Sequence, residues 1–259
     1  MPCHRFLDWE AVAPGIVAGI TAVADADGAG SSSDFGLATG GSAWEVTRRL
    51  EALAGATGMH SPVVGRQVHG TRIVGVDSTP GAGVCVVGDA DGLMTSATGV
   101  LLAVTAADCV PAYLADLEGR CVALVHAGWR GAAAGILERA VEGMESRYGA
   151  DPGNLAVYLG PAICGACYAV GPEVLTALGK QGNGPSRVDL RSELVDRAVD
   201  AGVAPDRVSR SDWCTRCGPV RLHSHRARGT DAGRMAAFLG LLPTPGSRSG
   251  ADSAGQELR

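Results

Sequence analysis

Three short segments of this chain place a metal-binding side chain beside small residues: Gln67-Val68-His69-Gly70, Ala107-Asp108-Cys109-Val110-Pro111 and His126-Ala127-Gly128-Trp129-Arg130-Gly131. Each candidate donor stands at the end of an apolar, strand-like run. Two imidazoles and a thiolate suit zinc, and three protein ligands leave a fourth position for water or substrate, the pattern of a catalytic zinc. A second reading competes. An isolated His at a strand end is usually just hydrogen-bonded, and an isolated Cys in an apolar run is usually packing. The residues alone leave both open.

Other groupings compete for the metal. Cys164/Cys167 and Cys214/Cys217 form two Cys-x-x-Cys pairs that could clamp one structural zinc, although their separation is far longer than in a zinc ribbon. A variant set is Cys214, Cys217, His223 and His225. Cys109 and His126 could instead form a nucleophile–base pair for amide hydrolysis. No His-x-Glu zinc-deaminase signature occurs, and neither a P-loop nor a dinucleotide fingerprint is present.

The elements that must position these residues alternate. Ile16–Val23 reads as a strand, followed by a flexible Asp/Gly/Ser stretch from Asp25 to Ser33. Trp44–Leu53 has helical spacing. Strand-like runs follow at Val63–Val68, Ile73–Val76, Val84–Val87 and Val100–Thr105, and Pro111–Ala115 and Cys121–His126 read as a hairpin about Asp116–Gly119. Helices are predicted at 131–148, with Gly149 as the stop, at 172–178, at 190–201 with Asp189 as N-cap, and at 232–242 before Pro243. These strands and helices are compatible with a single α/β domain over residues 1–242, without specifying the order of its layers, followed by a disordered Pro/Gly/Ser tail over 243–259.

Composition narrows the function. With 46% apolar residues in 259, the chain can bury a large core. A net charge of −5, with 22 scattered basic residues, argues against a nucleic-acid partner. The N-terminus lacks an apolar signal core, and the longest apolar stretch, 100–115, is interrupted by Asp108 and Pro111, so neither secretion nor membrane insertion is expected. The expected location is cytoplasmic, where eight Cys serve as free thiols or metal ligands rather than disulfides.

The three segments resemble the signature motifs of the YfiH-like family, also called multicopper polyphenol oxidases, laccase-domain proteins and peptidoglycan editing factors. Further matching segments are Gly160-Pro161-Ala162-Ile163, Cys167-Tyr168 with Val170-Gly171, Trp213-Cys214-Thr215, Ser224-His225-Arg226 and Gly233-Arg234-Met235-Ala236, so the resemblance runs from about Ile16 to Leu241. It implies an α/β single-domain layered sandwich with β-sheet between helical layers, zinc held by His69, Cys109 and His126, and activity on purine nucleosides, either phosphorolysis of adenosine, inosine or methylthioadenosine or deamination of adenosine. For deamination, zinc lowers the pKa of water toward ~7, which suits attack at C6 of adenine. For phosphorolysis, cations must hold phosphate, and Arg130, Arg226 and Arg234 are the candidates; Gln67, which opens the first motif, is expected with them on the substrate side. Asp108 either moves a proton or orients a ligand, or is simply a paired strand-end carboxylate.

The family's other names imply alternatives, namely a peptidoglycan-precursor editing factor or a polyphenol oxidase. A multicopper cluster needs more imidazoles than the six His of this chain can supply. The chain departs from the family after its first strand (Thr21-Ala22-Val23 leading into Asp25), at Phe35-Gly36-Leu37-Ala38, and at Ala169, where an acidic residue is expected. These departures are expected near the substrate pocket. Oligomeric state is not legible. With the Cys-x-x-Cys pairs regarded as packing, the metal content expected from this reading is about one zinc per chain and little copper.

Overall fold

The computed structural model describes residues 3–23, 34–36, 42–182 and 184–243. In chain order the strands are β1 (Cys3–Arg5), β2 (Ile16–Thr21), β3 (Ser61–Arg66), β4 (Ile73–Gly75), β5 (Cys85–Asp89), β6 (Gly92–Thr95), β7 (Val100–Ala106), β8 (Val110–Asp116), β9 (Val122–Ala127), β10 (Leu155–Leu159), β11 (Ala169–Val170), β12 (Ser186–Arg187), β13 (Val208–Arg210) and β14 (Met235–Leu241). The helices are α1 (Leu7–Val12), α2 (Ala43–Ala56), α3 (Trp129–Ala133), α4 (Ile136–Tyr148), α5 (Pro172–Ala177), α6 (Leu190–Asp200) and α7 (His225–Arg228). The expected flexible segment 25–33, the family departure at 37–38 and residues 244–259 of the expected tail lie outside the described residues.

Two six-stranded sheets face each other. One runs β1-β2-β14-β7-β3-β5 and the other β13-β10-β8-β9-β6-β4. The core between them is built from alternate residues of each strand, those that point inward: Leu102 and Val104 of β7 meet Leu124 of β9 and Tyr113 of β8. The outer face of the first sheet is covered by α2, through Val46, Leu50 and Leu53 against Leu101, Ala103 and Phe238. The outer face of the second is covered by α4, α5 and α6, through Ile136, Leu137, Ala140, Leu175 and Leu194 against Leu114, Val125 and Val157. The architecture is therefore a single α/β unit of helix, sheet, sheet and helix layers, and the layered sandwich that the resemblance implies is what forms.

Several local readings hold for the reasons that suggested them. β8 and β9 pair antiparallel across a turn in which Gly119, at φ 74°, donates to Asp116 O at 2.8 Å. Asp189 accepts from Arg191 N at 3.1 Å and caps α6, and Gly149, at φ 68°, ends α4 in the left-handed conformation that favours Gly.

Two readings fail. The helix predicted at 131–148 is broken: α3 begins earlier, at Trp129, and Gly135 at φ 85° separates it from α4. The helix predicted at 232–242 is the strand β14, which sits between β2 and β7. Its run Met235-Ala236-Ala237-Phe238-Leu239-Gly240-Leu241 is apolar on both faces, and a strand buried on both sides loses the alternation that would distinguish it from a buried helix. Met235, Ala237 and Leu239 face the other sheet while Ala236 and Phe238 face α2. Gly240 lets the backbones close up, since a Cβ there would lie 2.5 Å from Val100 O.

Phe238 is fully buried at the centre of the α2-covered core. Phe238→Ala should cost about 3–5 kcal/mol, read as a shift in the urea unfolding midpoint. A cost well under 1 kcal/mol would be incompatible with β14 as a central strand.

Candidate metal centre

The candidate ligands gather at one end of the sandwich, where the chain passes between the sheets. β3 and β7 run parallel, so the segments after them emerge at the same edge, carrying His69 and Cys109 respectively. Cys109 lies on the crossover from β7 in one sheet to β8 in the other. His126, near the end of β9, sits opposite Pro111 at the start of β8. Their ligand atoms all lie within 4.8 Å of one another, with His69 exposed, Cys109 half-buried and His126 buried. The two imidazoles meet edge-to-face, centroids 4.9 Å apart.

The carboxylate of Asp91 organises this cluster. It is fully buried just before β6 and accepts from the backbone N–H groups of Val68 (3.0 Å), His69 (3.0 Å) and Gly70 (2.8 Å). Its Oδ1 also accepts from His126 Nδ1 at 2.9 Å, and its backbone carbonyl accepts from His126 N at 2.7 Å. Successive N–H groups converging on one anion form a nest, and this is the physical reason that His69 adopts φ 58°. Because a carboxylate can only accept, the His126 proton is held on Nδ1, leaving Nε2 as the ligand atom. A carboxylate behind a ligating imidazole is a recurrent support for bound metal.

Electrostatics bind the cluster together. Burial pushes the Asp91 carboxyl upward, but the bonds from His126, Gly70 and Val68 outweigh it and hold it below its ordinary value. Burial also raises Cys109, yet the charge and hydrogen bonds of His126 and then His69 bring the thiol down to about 6. For His126, burial lowers the pKa, while Cys109 and Asp91 raise it to about 9. Each group thus favours the charged form of the other, and a divalent cation would take the place of the imidazolium proton. Space exists for one: a Cβ on Gly128 would lie 3.1 Å from both Cys109 Sγ and His69 Cδ2, so a side chain at 128 would crowd the donors. The donor set and the clear floor fit a zinc ion.

The other candidates are distributed unequally. Asp108, at φ 91°, accepts from Thr215 Oγ1 at 2.5 Å and from Arg226 N at 2.6 Å, so it ties the Cys109 crossover to the Thr215 turn and to α7. Arg226 stacks on Tyr168, its Cζ 5.3 Å from the ring, and Arg130 stacks on Trp129 at 4.2 Å. Burial is the main cause that pushes the Tyr168 phenol up to about 12, and the charges of Cys109, Arg226, Asp108 and Arg130 all reach it. Two expected substrate residues are engaged elsewhere. The Gln67 amide is occupied by Thr105, accepting from its N at 2.7 Å and Oγ1 at 2.8 Å and donating to its carbonyl at 2.8 Å. Arg234 Nη1 donates to the carbonyls of Ala232 (2.5 Å) and Gly233 (3.1 Å). Ala169, at one of the family departures, pairs with Arg187 between β11 and β12.

Asp91 and Tyr168 are the residues that sequence reasoning did not single out as site residues. Little in the local sequence distinguishes Asp91 from Asp89, which is half-buried and paired with Arg66; the signal lay only in Asp91 being followed by the short apolar run of β6. Tyr168 was legible as part of a motif but without a role. The four Cys of the two Cys-x-x-Cys pairs also come together, their Sγ atoms within 4.8 Å of one another, so the rival cluster forms as well as the first. His223 and His225 are not part of that group.

Residues 23–242 match the family described as multi-copper polyphenol oxidoreductase laccase. The chain is 34% identical over 247 residues to the purine nucleoside phosphorylase YlmD of Geobacillus stearothermophilus, covering 87% of this chain and 90% of that protein. It is 33% identical over 196 residues to the adenosine deaminase RL5 of an unknown prokaryotic organism, covering 69% and 74% respectively. The crystal structure of the Bacillus licheniformis hypothetical protein YfiH superposes with a TM-score of 0.81 at 26% identity, covering 93% of this chain and 96% of that one.

Asp91→Asn keeps the size of the side chain but removes the charge that holds His126 and the 68–70 nest. Zinc affinity should fall about 10–100-fold, measured by competition with a chromophoric chelator. Unchanged affinity would remove Asp91 from the metal centre.

Proposed function

Because the chain belongs to the multi-copper polyphenol oxidoreductase laccase family, matched over residues 23–242, we propose that it is an enzyme that processes purine nucleosides at a zinc held by His69, Cys109 and His126. The observation that carries this reading is the convergence of two imidazoles and a thiolate within 4.8 Å, with one imidazole exposed. Three donors on an open face leave a position for a further ligand. The bound zinc would supply Lewis acidity and lower the pKa of a water toward ~7. The names of the two relatives, a phosphorylase and a deaminase, point to purine nucleosides as the shared substrate class.

Of the two reactions, phosphorolysis is favoured by the cations on this side of the fold. Arg130 and Arg226 both lie within electrostatic reach of Tyr168, beside Cys109. Two guanidinium groups would bind and orient phosphate, and Tyr168, uncharged at working pH, offers an aromatic face and a hydroxyl to the nucleoside. Asp108 acts indirectly, by fixing the Arg226 backbone. Gln67 and Arg234 are occupied by Thr105 and by the 232–233 carbonyls, so this reading assigns them no direct contact with substrate. The family's name suggests oxidation, but a trinuclear copper cluster requires many more imidazoles than the two of this trio, and the chain has six His in all. Among the described residues no helix is long and apolar enough to cross a membrane. A cytoplasmic setting suits the reading, because free thiols persist there as metal ligands.

A second reading rests on Asp91, His126 and Cys109 as orienter, base and nucleophile, an arrangement that could cleave amides in a cell-wall precursor. The second imidazole, His69, has no part in that chemistry and is accounted for by metal. Labelling of Cys109 by a thiol reagent equally in zinc-replete and zinc-free protein would favour the hydrolase.

Incubating zinc-loaded protein with adenosine, inosine and methylthioadenosine, with and without phosphate, should release free base only when phosphate is present. Arg130→Ala and Arg226→Ala should each raise the phosphate KM about tenfold or more, from the loss of a charged hydrogen bond of ~1.5–3 kcal/mol, with zinc content unchanged. Conversion of adenosine to inosine regardless of phosphate would replace phosphorolysis by deamination.

A further inference from the structure

Far along the chain from the trio, two turns meet. Cys164-Gly165-Ala166-Cys167 follows β10, and Cys214-Thr215-Arg216-Cys217 follows β13. These two strands are parallel neighbours, so both turns emerge at the same edge of the sheet. The turns are then laced together: Ala162 bridges to Cys214, with Thr215 N donating to Ala162 O at 3.2 Å. Each turn is tight, with Cys167 N donating to Cys164 O and Gly218 N to Cys214 O, both at 2.9 Å. Gly218 is required for that closeness, because a Cβ there would lie 2.4 Å from Cys214 O.

One sulfur is prepared as an anionic acceptor. Cys214 Sγ receives backbone N–H groups from Cys164 at 3.3 Å and Arg216 at 3.4 Å. All four Sγ atoms lie within 4.8 Å of one another, and Cys164 Sγ is 3.8 Å from Cys217 Sγ. A tetrahedron of thiolates at about 2.3 Å from zinc has sulfur–sulfur edges of about 3.8 Å. Cys214 is buried, Cys164 and Cys167 are half-buried, and Cys217 is exposed, so an ion could enter from solvent and be covered.

We propose that Cys164, Cys167, Cys214 and Cys217 bind a second zinc ion, a structural one, with all four positions filled by protein. It clamps together the two loops that border the first site. Ile163, next to Cys164, donates its N–H to Asp108 O at 3.1 Å, and Thr215, next to Cys214, donates to the Asp108 carboxylate. Tyr168 follows Cys167 directly. The chain therefore carries two zinc ions rather than the one implied by its motifs alone, and the second is independent of whether the first supports nucleoside chemistry.

The test is zinc content of the full chain purified under reducing conditions, read with the first site intact and removed. Wild type should hold two zinc ions per chain, Cys109→Ala one, and Cys164→Ser/Cys217→Ser one. The double variant should also melt at least about 10 °C lower, since a structural zinc contributes folding free energy directly. Should the double variant fail to fold, cobalt-substituted Cys109→Ala decides: its spectrum should show the intense thiolate-to-metal charge transfer of a four-thiolate tetrahedral site. A metal-free Cys109→Ala protein without that absorption overturns the proposal, as does a thiol count in denaturant showing these four Cys paired as disulfides. A single zinc that survives Cys109→Ala and is lost from the Cys-pair variant would uphold this site and remove the metal from the trio.

Discussion

The site depends on one buried carboxylate. Asp91 has no exposed surface, yet it is ionised and receives four hydrogen bonds, three from consecutive backbone N–H groups and one from an imidazole. An isolated buried charge would be costly; here the charge is compensated by a nest and by His126, and in return it dictates the geometry of both. The nest turns His69 into a left-handed conformation that an ordinary loop would rarely hold, and the imidazole bond chooses the tautomer of His126. Two of the three candidate ligands are thus positioned by one side chain that ligates nothing.

The third ligand is positioned by topology. Cys109 lies where the chain leaves one sheet for the other, between β7 and β8. Asp108 adopts a positive φ at that step, and its carboxylate fastens the crossover to the Thr215 turn and to Arg226 of α7. Strain at Asp108 and His69 therefore falls on the two segments that carry exposed or half-exposed ligands, while the buried ligand, His126, lies within regular β-structure.

The two-sheet core explains why the site is at one end. β3, β7 and β9 end at the same edge, where β6, β8 and β14 begin. β10 ends there too, delivering the Cys164–Tyr168 turn to the wall. The same edge thus gathers two clusters of soft donors, one of three candidate ligands with His69 exposed, the other of four. Donor number separates a site suited to chemistry from one suited to holding structure.

Much of this was legible in the chain. The His69, Cys109 and His126 segments stand out through their match to the family's signature motifs rather than through their spacing, and most strands and helices announce themselves by periodicity, as in Val46, Leu50 and Leu53 of α2. Local patterns could not identify β14, because a run buried on both faces has no polar side to mark its period. They could not select Asp91, because burial of a carboxylate depends on β6 and β9 pairing across the fold. Nor could they decide between the trio and the paired cysteines, which are remote from one another in the chain yet emerge at one end of the fold. Donor identities are written in the chain; which donors converge, and which carboxylate holds them, depends on contacts between distant segments and was decided by the packing of the two sheets.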